Sequence, residues 1–241
     1  MEPLHVLFLF LIGMAGGFVQ RVCGFGLGIL VMMFLPHFMP THTAAAAVSC
    51  LFSCSATTFN AVKYQKHISY RTILPVIAAA LIAISCSVVF ASKVSSALFR
   101  ILLGIVLVLL SVFFLFLHGR IHIKPTLVNG LIAGTVGGTL SGLFATGGPP
   151  IVLYLTQATQ DKLTYFATIQ FYFCVTDLYA TGMRIMNGIL TLELFLLALI
   201  GIAGCLVGDA FGRMVFNRLN ANMLKTVIYI GMLISGVLML F

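Results

Sequence analysis

Ten apolar runs, almost free of charged residues, make up most of this chain, and they limit its fold more than any other feature. Most of them are close in length to a membrane-spanning helix, which needs about 20 apolar residues. Apolar and polar residues do not alternate within them, so the runs predict helices rather than strands. The sequence therefore predicts an all-α polytopic membrane protein. The runs are residues 3–20, 24–36, 44–62, 72–91, 97–118, 126–143, 147–158, 163–182, 190–209 and 222–241.

Composition and charge narrow the class of protein further. Apolar residues are 61% of the chain and charged residues only 7%, which leaves almost no room for a soluble domain. The net charge of +8 comes from Lys and Arg that lie mostly in the connections between runs. That position is typical of membrane topology signals, so we expect the lipid bilayer as the surrounding medium and no nucleic acid as a partner. The sequence makes no prediction of an oligomeric state.

Metal and disulfide sites are not predicted. The six cysteines all fall in apolar segments and lack the paired spacing of a disulfide framework or a zinc site. His118 and His122 have the spacing of a helical metal pair, but Arg120 and Lys124 beside them make a cation site unfavourable. We interpret these histidines as residues of the membrane interface, and we expect no metal and no cofactor.

The segment "GLFATGGPPIVLYL" at 142–155 interrupts this pattern, because glycine and proline disfavour a helix interior. It aligns with "RVCGFGLGILV" at 21–31 when Gly26 is placed on Gly147. The runs then divide into two sets of five, each with two short runs around a break and three full-length runs after it. We predict a first repeat at 1–118, a linker at 119–125 and a second repeat at 126–241.

Loop charges favour one topology for the two repeats. If each broken pair is a hairpin that enters and leaves on one side, each half has three net crossings and the second half is inverted. The connections at 63–71, 118–125 and 210–225 then share one face and hold most of the basic residues. The opposite face receives Lys93, Lys162 and Arg184. A single crossing per broken pair would weaken this asymmetry, so the positive-inside rule favours two inverted-topology repeats.

Paired broken helices in inverted repeats are typical of secondary transporters, which bind substrate near the membrane midplane. Arg21 lies at the first break, where an arginine is costly unless it faces a cavity or a partner. Its planar fork suits an oxyanion, and amides at broken helix ends add donors. The alternative is that Arg21 reaches the interface. The predicted substrate-binding residues are Gln20, Arg21, Gly24, Gly26, Thr146, Gly147, Gly148, Pro149 and Gln170.

Asp177 lies in the otherwise uncharged segment "FYFCVTDLYATGM". It is a candidate for proton coupling, with three alternatives: a partner for Arg21, a neutral buried carboxyl, or a structural hydrogen bond. The uncharged polar residues Gln20, Asn60, Gln170 and Thr146 either line a cavity or bond between helices. A second pattern, small residues four apart, predicts close helix packing. Its members are Gly13, Gly17, Gly134 and Gly138.

An enzyme is not predicted. Ser141 in "GTLSGLF" has no later histidine to act as its base, because the last histidine is His122. The chain has no Gly-Lys pair, which excludes a P-loop and ATP-driven pumping by this chain alone. An ion gradient, with the proton as the expected ion, is then the expected driver. An anion channel remains the alternative.

Two motifs resemble a known family. "GGFVQRVCGFGLGILV" and "GLIAGTVGGTLSGLFATGGPPIVLYL", within duplicated halves, resemble the sulfite exporter TauE/SafE family of bacterial membrane proteins over essentially the whole chain. The resemblance implies export of sulfite, of organosulfonates such as sulfoacetate, or of related sulfur oxyanions across the cytoplasmic membrane by a multi-pass protein. A transporter of a different small anion is the alternative within this resemblance.

Overall fold

A computed structural model describes residues 3–117, 124–215 and 221–240 of the chain, and these residues form helices and no strand. Each predicted apolar run corresponds to one α-helix. A short 3-10 turn follows α2 and another follows α3, and a π-helical segment at Phe113–Leu117 extends α5. The helices are α1 Pro3–Cys23, α2 Leu27–Phe34, α3 His42–Lys63, α4 Tyr70–Lys93, α5 Ser96–Val112, α6 Leu127–Phe144, α7 Gly148–Ala158, α8 Lys162–Met186, α9 Leu192–Val215 and α10 Ala221–Leu240.

Six of the described helices are long and apolar enough to cross a membrane. Their outward faces carry large apolar side chains, such as Ile82 at 71% exposure and Leu109 at 64%. Water would not favour so much exposed apolar surface, whereas the hydrocarbon of a bilayer accepts it. The prediction of an all-α polytopic membrane protein is confirmed.

The first break produces a helical hairpin. Gly24 and Gly26 have φ of 82° and 104°, left-handed values that glycine adopts without a Cβ clash. The chain therefore reverses, and α2 returns along α1, so that a Cβ on Gly16 would contact the side chains of Leu27 and Val31. Phe38 stacks 4.0 Å from Phe8, ring centroid to centroid. The hairpin thus begins and ends at the same end of the molecule.

The second break repeats this geometry with different residues. Ala145 caps α6 in the left-handed conformation, with φ 55°. Pro149 and Pro150 follow in the first turn of α7, where a missing N–H costs little. The returning α7 brings Tyr154 against Gly130, near the start of α6. The first arms, α1 with 21 residues and α6 with 18, are both long enough to span, so the prediction of two short arms was wrong for them.

The largest helix contacts join a helix of the first set of five to a helix of the second set. α1 packs most extensively on α9 and α6 on α4, while α3 pairs with α8 and α5 with α10. When α1 to α5 are matched in order with α6 to α10, the α1–α9 contact becomes the α6–α4 contact, and the pairs α3–α8 and α5–α10 map onto themselves, as a two-fold relation between the halves would give. This pairing supports the prediction of two repeats, whose inverted topology stays a prediction.

Small residues make the closest of these contacts, as predicted. A Cβ on Gly13 or Gly17 would overlap backbone carbonyl groups of α9. A Cβ on Gly134 or Gly138 would overlap the carbonyls of α4 in the same way. Backbone-to-backbone approach of this kind drives helix association where lipid removes the hydrophobic term.

One assignment in the topology argument was wrong. Arg184 was counted with the residues of a connecting loop, but it lies in the last turn of α8 and is fully buried. The basic bias between the two faces therefore becomes stronger when Arg184 is removed from the count. His118, His122 and Arg120 lie outside the described residues.

Candidate functional site

The two breaks meet in the interior of the protein. A Cβ on Gly28, in the first turn of α2, would lie 1.9 Å from the carbonyl oxygen of Ala145, and Gly148 lies beside Phe25. Together with the middle of α3 and of α8, the breaks surround a cavity of about 20 Å³, the central cavity. Its lining residues are Gln20, Gly26, Gly28, Ile29, Ser53, Ser141, Ala145, Thr146, Gly148, Phe173 and Asp177.

The N-terminal ends of α2 and α7 both border the central cavity. Gly26 and Gly147 are their N-cap residues, and neither supplies a capping side chain. Helix N-termini carry a partial positive charge and first-turn amides that favour anions. Gln20 accepts a hydrogen bond from the amide of Leu27 at 3.3 Å and so holds the start of α2 against α1.

Two buried side chains at this cavity have hydrogen-bonding capacity to spare. Gln20 and Thr146 are each 2% exposed. The Gln20 Nε2 and the Thr146 Oγ1 have no hydrogen-bond partner within residues 3–117, 124–215 and 221–240. A buried donor without a partner costs about 1–3 kcal/mol, so such groups are usually explained by a bound molecule or by water.

Asp177 is the acidic residue of the central cavity. Its side chain is 4% exposed, and its Oδ2 accepts a hydrogen bond from the Ser53 hydroxyl at 2.5 Å. Its Oδ1 lies 3.7 Å from the Cys50 thiol, which donates to it. Arg21 donates to Asn60 and Tyr64, as described below, and the structure shows no ion pair between Arg21 and Asp177.

Four of the predicted binding residues line the central cavity: Gln20, Gly26, Thr146 and Gly148. Five others lie outside its lining. Among them, Gln170 donates from Nε2 to the carbonyl of Gly24 at 2.9 Å and so supports the first break from behind. Gly147 packs on Gly137, and Pro149 faces an apolar cavity on another side of α7.

Arg21 is the remaining predicted binding residue that does not line the central cavity. Its Nη1 donates to Oδ1 of Asn60 and its Nη2 to the Tyr64 hydroxyl, both at 2.8 Å. The guanidinium carbon is 5.3 Å from the ring centroid of Tyr64 and 4.9 Å from that of Phe166. A separate cavity of about 130 Å³ is lined by Arg21, Tyr64, Lys162, Leu163 and Phe166. Arg21 therefore ties the end of α1 to α3.

Two residues of this polar region did not emerge from the sequence argument. Asp209 on α9 is 2% exposed and accepts a hydrogen bond from Nδ2 of Asn60 at 3.0 Å. Arg213 pairs with the other carboxylate oxygen at 3.3 Å. Asn60 thereby links α1 to α9 through α3. The signal was present, because Asp209 is an acidic residue at the end of an apolar run.

Arg184 was also missed as a site residue. Its side chain is 1% exposed, and its Nη2 donates to the carbonyls of Ser141 and Gly142, both at 2.9 Å. These carbonyls belong to the last turn of α6, immediately before the second break. Seven residues separate Arg184 from Asp177, a spacing that places both on one face of α8. That spacing could have linked the two residues from the sequence alone.

The described residues contain no group of three His, Cys, Asp or Glu side chains placed to hold a metal ion. The polar atoms at the breaks are amides, hydroxyls and one carboxylate. Groups of these kinds form hydrogen bonds with polar or charged molecules.

Comparison with known proteins agrees with this architecture. The chain matches the family described as "Sulfite exporter TauE/SafE" over residues 9–239. It is 28% identical over 217 residues to a protein of Cupriavidus necator named "Probable sulfite/organosulfonate exporter TauE", an alignment that covers 83% of this chain and 79% of that protein. No solved structure matches the chain. The match along nearly its whole length shows that the chain belongs to the sulfite exporter TauE/SafE family.

Proposed function

We propose that the protein is a secondary transporter that exports sulfite, an organosulfonate or a related small sulfur oxyanion across the cytoplasmic membrane. The observation that carries this proposal is the convergence of two helix N-termini on one buried cavity with unpaired donors. In a water-excluded interior these groups favour an anion without the need for a cationic side chain in the cavity wall. The family name points to the same class of substrate.

In this proposal the anion contacts Gln20, Gly26, Thr146 and Gly148. The amide of Gln20, the hydroxyl of Thr146 and first-turn amides of α2 and α7 donate to its oxygens. Gly24, Gly147, Pro149 and Gln170 shape the two breaks. Arg21 acts from the neighbouring cavity, where its charge and that of Lys162 attract the anion.

Binding requires the breaks to separate. A volume of about 20 Å³ is room for about one water molecule, which is smaller than a sulfur atom with three oxygens. The described conformation is therefore closed around the site. Alternating access follows if the two halves, 1–118 and 126–241, are inverted repeats that rock against each other.

We further propose that Asp177 couples transport to protons. Ionisable residues inside a membrane bundle are costly, and proton relays are one of the functions for which they are retained. Asp177→Asn keeps the shape of the side chain but removes the titration. We expect this variant to retain anion flux and to lose its acceleration by a pH gradient. Acceleration equal to that of the wild type would remove Asp177 from the coupling.

The test of the function is anion flux in proteoliposomes, loaded in turn with sulfite, thiosulfate, sulfoacetate, sulfate and chloride, with and without an imposed pH gradient. We expect saturable flux of a sulfur oxyanion that the gradient accelerates. Flux that follows voltage without saturation would instead favour an anion channel. Flux of none of the sulfur anions would refute the substrate class.

Two threonines provide a matched pair of variants for the same assay. Thr146→Val removes a hydroxyl from the central cavity. Thr176→Val is the control, because Thr176 is equally buried on α8 but its hydroxyl donates to the carbonyl of Tyr172 within its own helix. We expect Thr146→Val to raise KM by about tenfold, the effect of one hydrogen bond to a charged ligand. The control should stay near the wild-type value.

A further inference from the structure

The central cavity combines a site for an anion with a carboxylate, and this combination needs a compensating charge. Asp177 lines the cavity and has hydroxyl and thiol partners. A negative charge beside a bound anion in an interior of low dielectric repels it strongly. No Lys or Arg of the described residues lines this cavity. The compensating positive charge must therefore come from a buried residue that lies next to the cavity without lining it.

Arg184 is the buried cation in the position to supply it. Two helical turns, a rise of about 10 Å, separate its Cα from that of Asp177 on the same face of α8. Side chains on a helix point back towards its N-terminus, so the long arginine reaches towards Asp177. The Nη1 of Arg184 is buried and has no hydrogen-bond partner in the described parts of the chain.

The bonds that Arg184 makes act on the same site. Its Nη2 holds the carbonyls of Ser141 and Gly142, and Ser141 lines the central cavity. Carbonyls at a helix C-terminus carry a partial negative charge, which would oppose an anion at the second break. Arg184 therefore offsets two sources of negative potential, the carboxylate and the end of α6.

We propose that Arg184 is a positioning residue for transport, whose charge balances Asp177 and the α6 terminus so that the central cavity accepts an anion. This inference rests on the proposed function. Affinity for the anion should follow the summed charge of residues 177 and 184. The affinity is highest when only the arginine is charged, intermediate when both or neither are charged, and lowest when only the carboxylate is charged.

A set of four proteins tests this order: the wild type, Asp177→Asn, Arg184→Gln and the double variant. The KM for sulfite is measured in proteoliposomes for all four proteins at the same alkaline pH, because a high pH favours the charged form of a carboxyl group. We expect Arg184→Gln to raise KM by at least tenfold and Asp177→Asn to lower it. The double variant should return to within a few-fold of the wild type.

The double variant separates a charge effect from a purely structural one. If Arg184 only braced the end of α6, removing Asp177 would not restore binding, and the double variant would be as poor as Arg184→Gln. That result, with saturable wild-type flux, would overturn this inference alone. Absence of sulfite flux in the wild type would overturn the proposed function and this inference with it.

Two further variants keep the test decisive. Arg184→Lys keeps the positive charge but loses the planar fork, so we expect its KM within a few-fold of the wild type even if Arg184→Gln does not fold. A KM raised tenfold or more in Arg184→Lys would contradict a role through charge. Arg100→Gln is the control for the loss of one arginine, because Arg100 lies on α5 away from the central cavity. Its KM should not change.

Discussion

Gly28→Ala is the substitution that most directly perturbs the meeting of the two breaks. The added Cβ would lie 1.9 Å from the Ala145 carbonyl oxygen, and real Cβ atoms essentially never approach a neighbour within 3.0 Å. The breaks must therefore move apart by roughly 1 Å, because both sides of the contact are close-packed backbone. Such overpacking costs about 1–3 kcal/mol, and a helical alanine returns about 1 kcal/mol relative to glycine.

The net loss of stability is therefore small, about 0–2 kcal/mol, whereas the loss of function should be large. A shift of this size misplaces the donors of α2 relative to those of α7. Loss of one hydrogen bond to a charged ligand costs about 1.5–3 kcal/mol, a factor of roughly ten to a hundred in affinity. We expect the KM for sulfite to rise accordingly in proteoliposomes, while thermal unfolding in detergent shifts little.

Gly182→Ala is the matched control. Gly182 lies in α8, and a Cβ there meets nothing within 4 Å. It should be as stable as the wild type or slightly more so, with an unchanged KM. If Gly28→Ala and Gly182→Ala transport sulfite equally well, the contact between the breaks does not shape the binding site.

Three other predictions concern the frame around the site. Gly17→Ala should weaken the contact of α1 with α9 and lower the melting temperature, because its Cβ would lie 2.2 Å from the carbonyl oxygen of Cys205. Gln170→Leu should destabilise the first break by about 1–3 kcal/mol, since the buried carbonyl of Gly24 loses its donor. Denaturation in detergent measures the loss of stability in each of these two variants. Backbone amide hydrogen bonds lower the pKa of Asp161, the N-cap of α8. The stability that its carboxylate gives to the folded state is therefore complete above the ordinary carboxyl pKa of about 4, and it is lost as pH falls through the lowered pKa. Asp161→Asn should remove that acid dependence in melting curves, and an unchanged pH dependence would contradict it.

The helices and their order could be predicted because lipid imposes a strong constraint on sequence. Backbone groups must bond within a segment, so each span becomes a continuous apolar run. Gly24, Gly26 and the "GGPP" segment identified both breaks for a related reason, since these residues disfavour a helix interior. The ten α-helices of the described residues consequently follow the ten predicted runs closely.

The site was predictable only in part, because it depends on which side chains of distant helices meet. Gln20 and Thr146 lie at the breaks themselves and line the central cavity together. Arg21 is adjacent in sequence to Gln20, yet one position along a helix turns the side chain by about 100° to another face. It therefore contacts Asn60 and Tyr64 on α3 rather than the cavity.

The length of a side chain explains the remaining difference. Arg184 lies near the end of a helix, where a sequence argument places residues in a loop or at an interface. Its long side chain instead reaches back into the protein to the end of α6. Arg21 on α1 donates to Asn60 and Tyr64 on α3, and Arg184 on α8 donates to the carbonyls at the end of α6. In each half one arginine therefore joins the first helix to the third, but the helix that carries it differs.

The central claim is that the two breaks together form the anion site, and binding of sulfite to the purified protein tests it most directly. A ligand at 100 times its Kd stabilises the folded state by about 2.7 kcal/mol, which a melting curve resolves. We predict that sulfite raises the melting temperature of the wild type and of Thr176→Val. The shift should be lost when Gln20→Leu and Thr146→Val are combined. An equal shift in all three proteins would place the anion elsewhere and contradict the account.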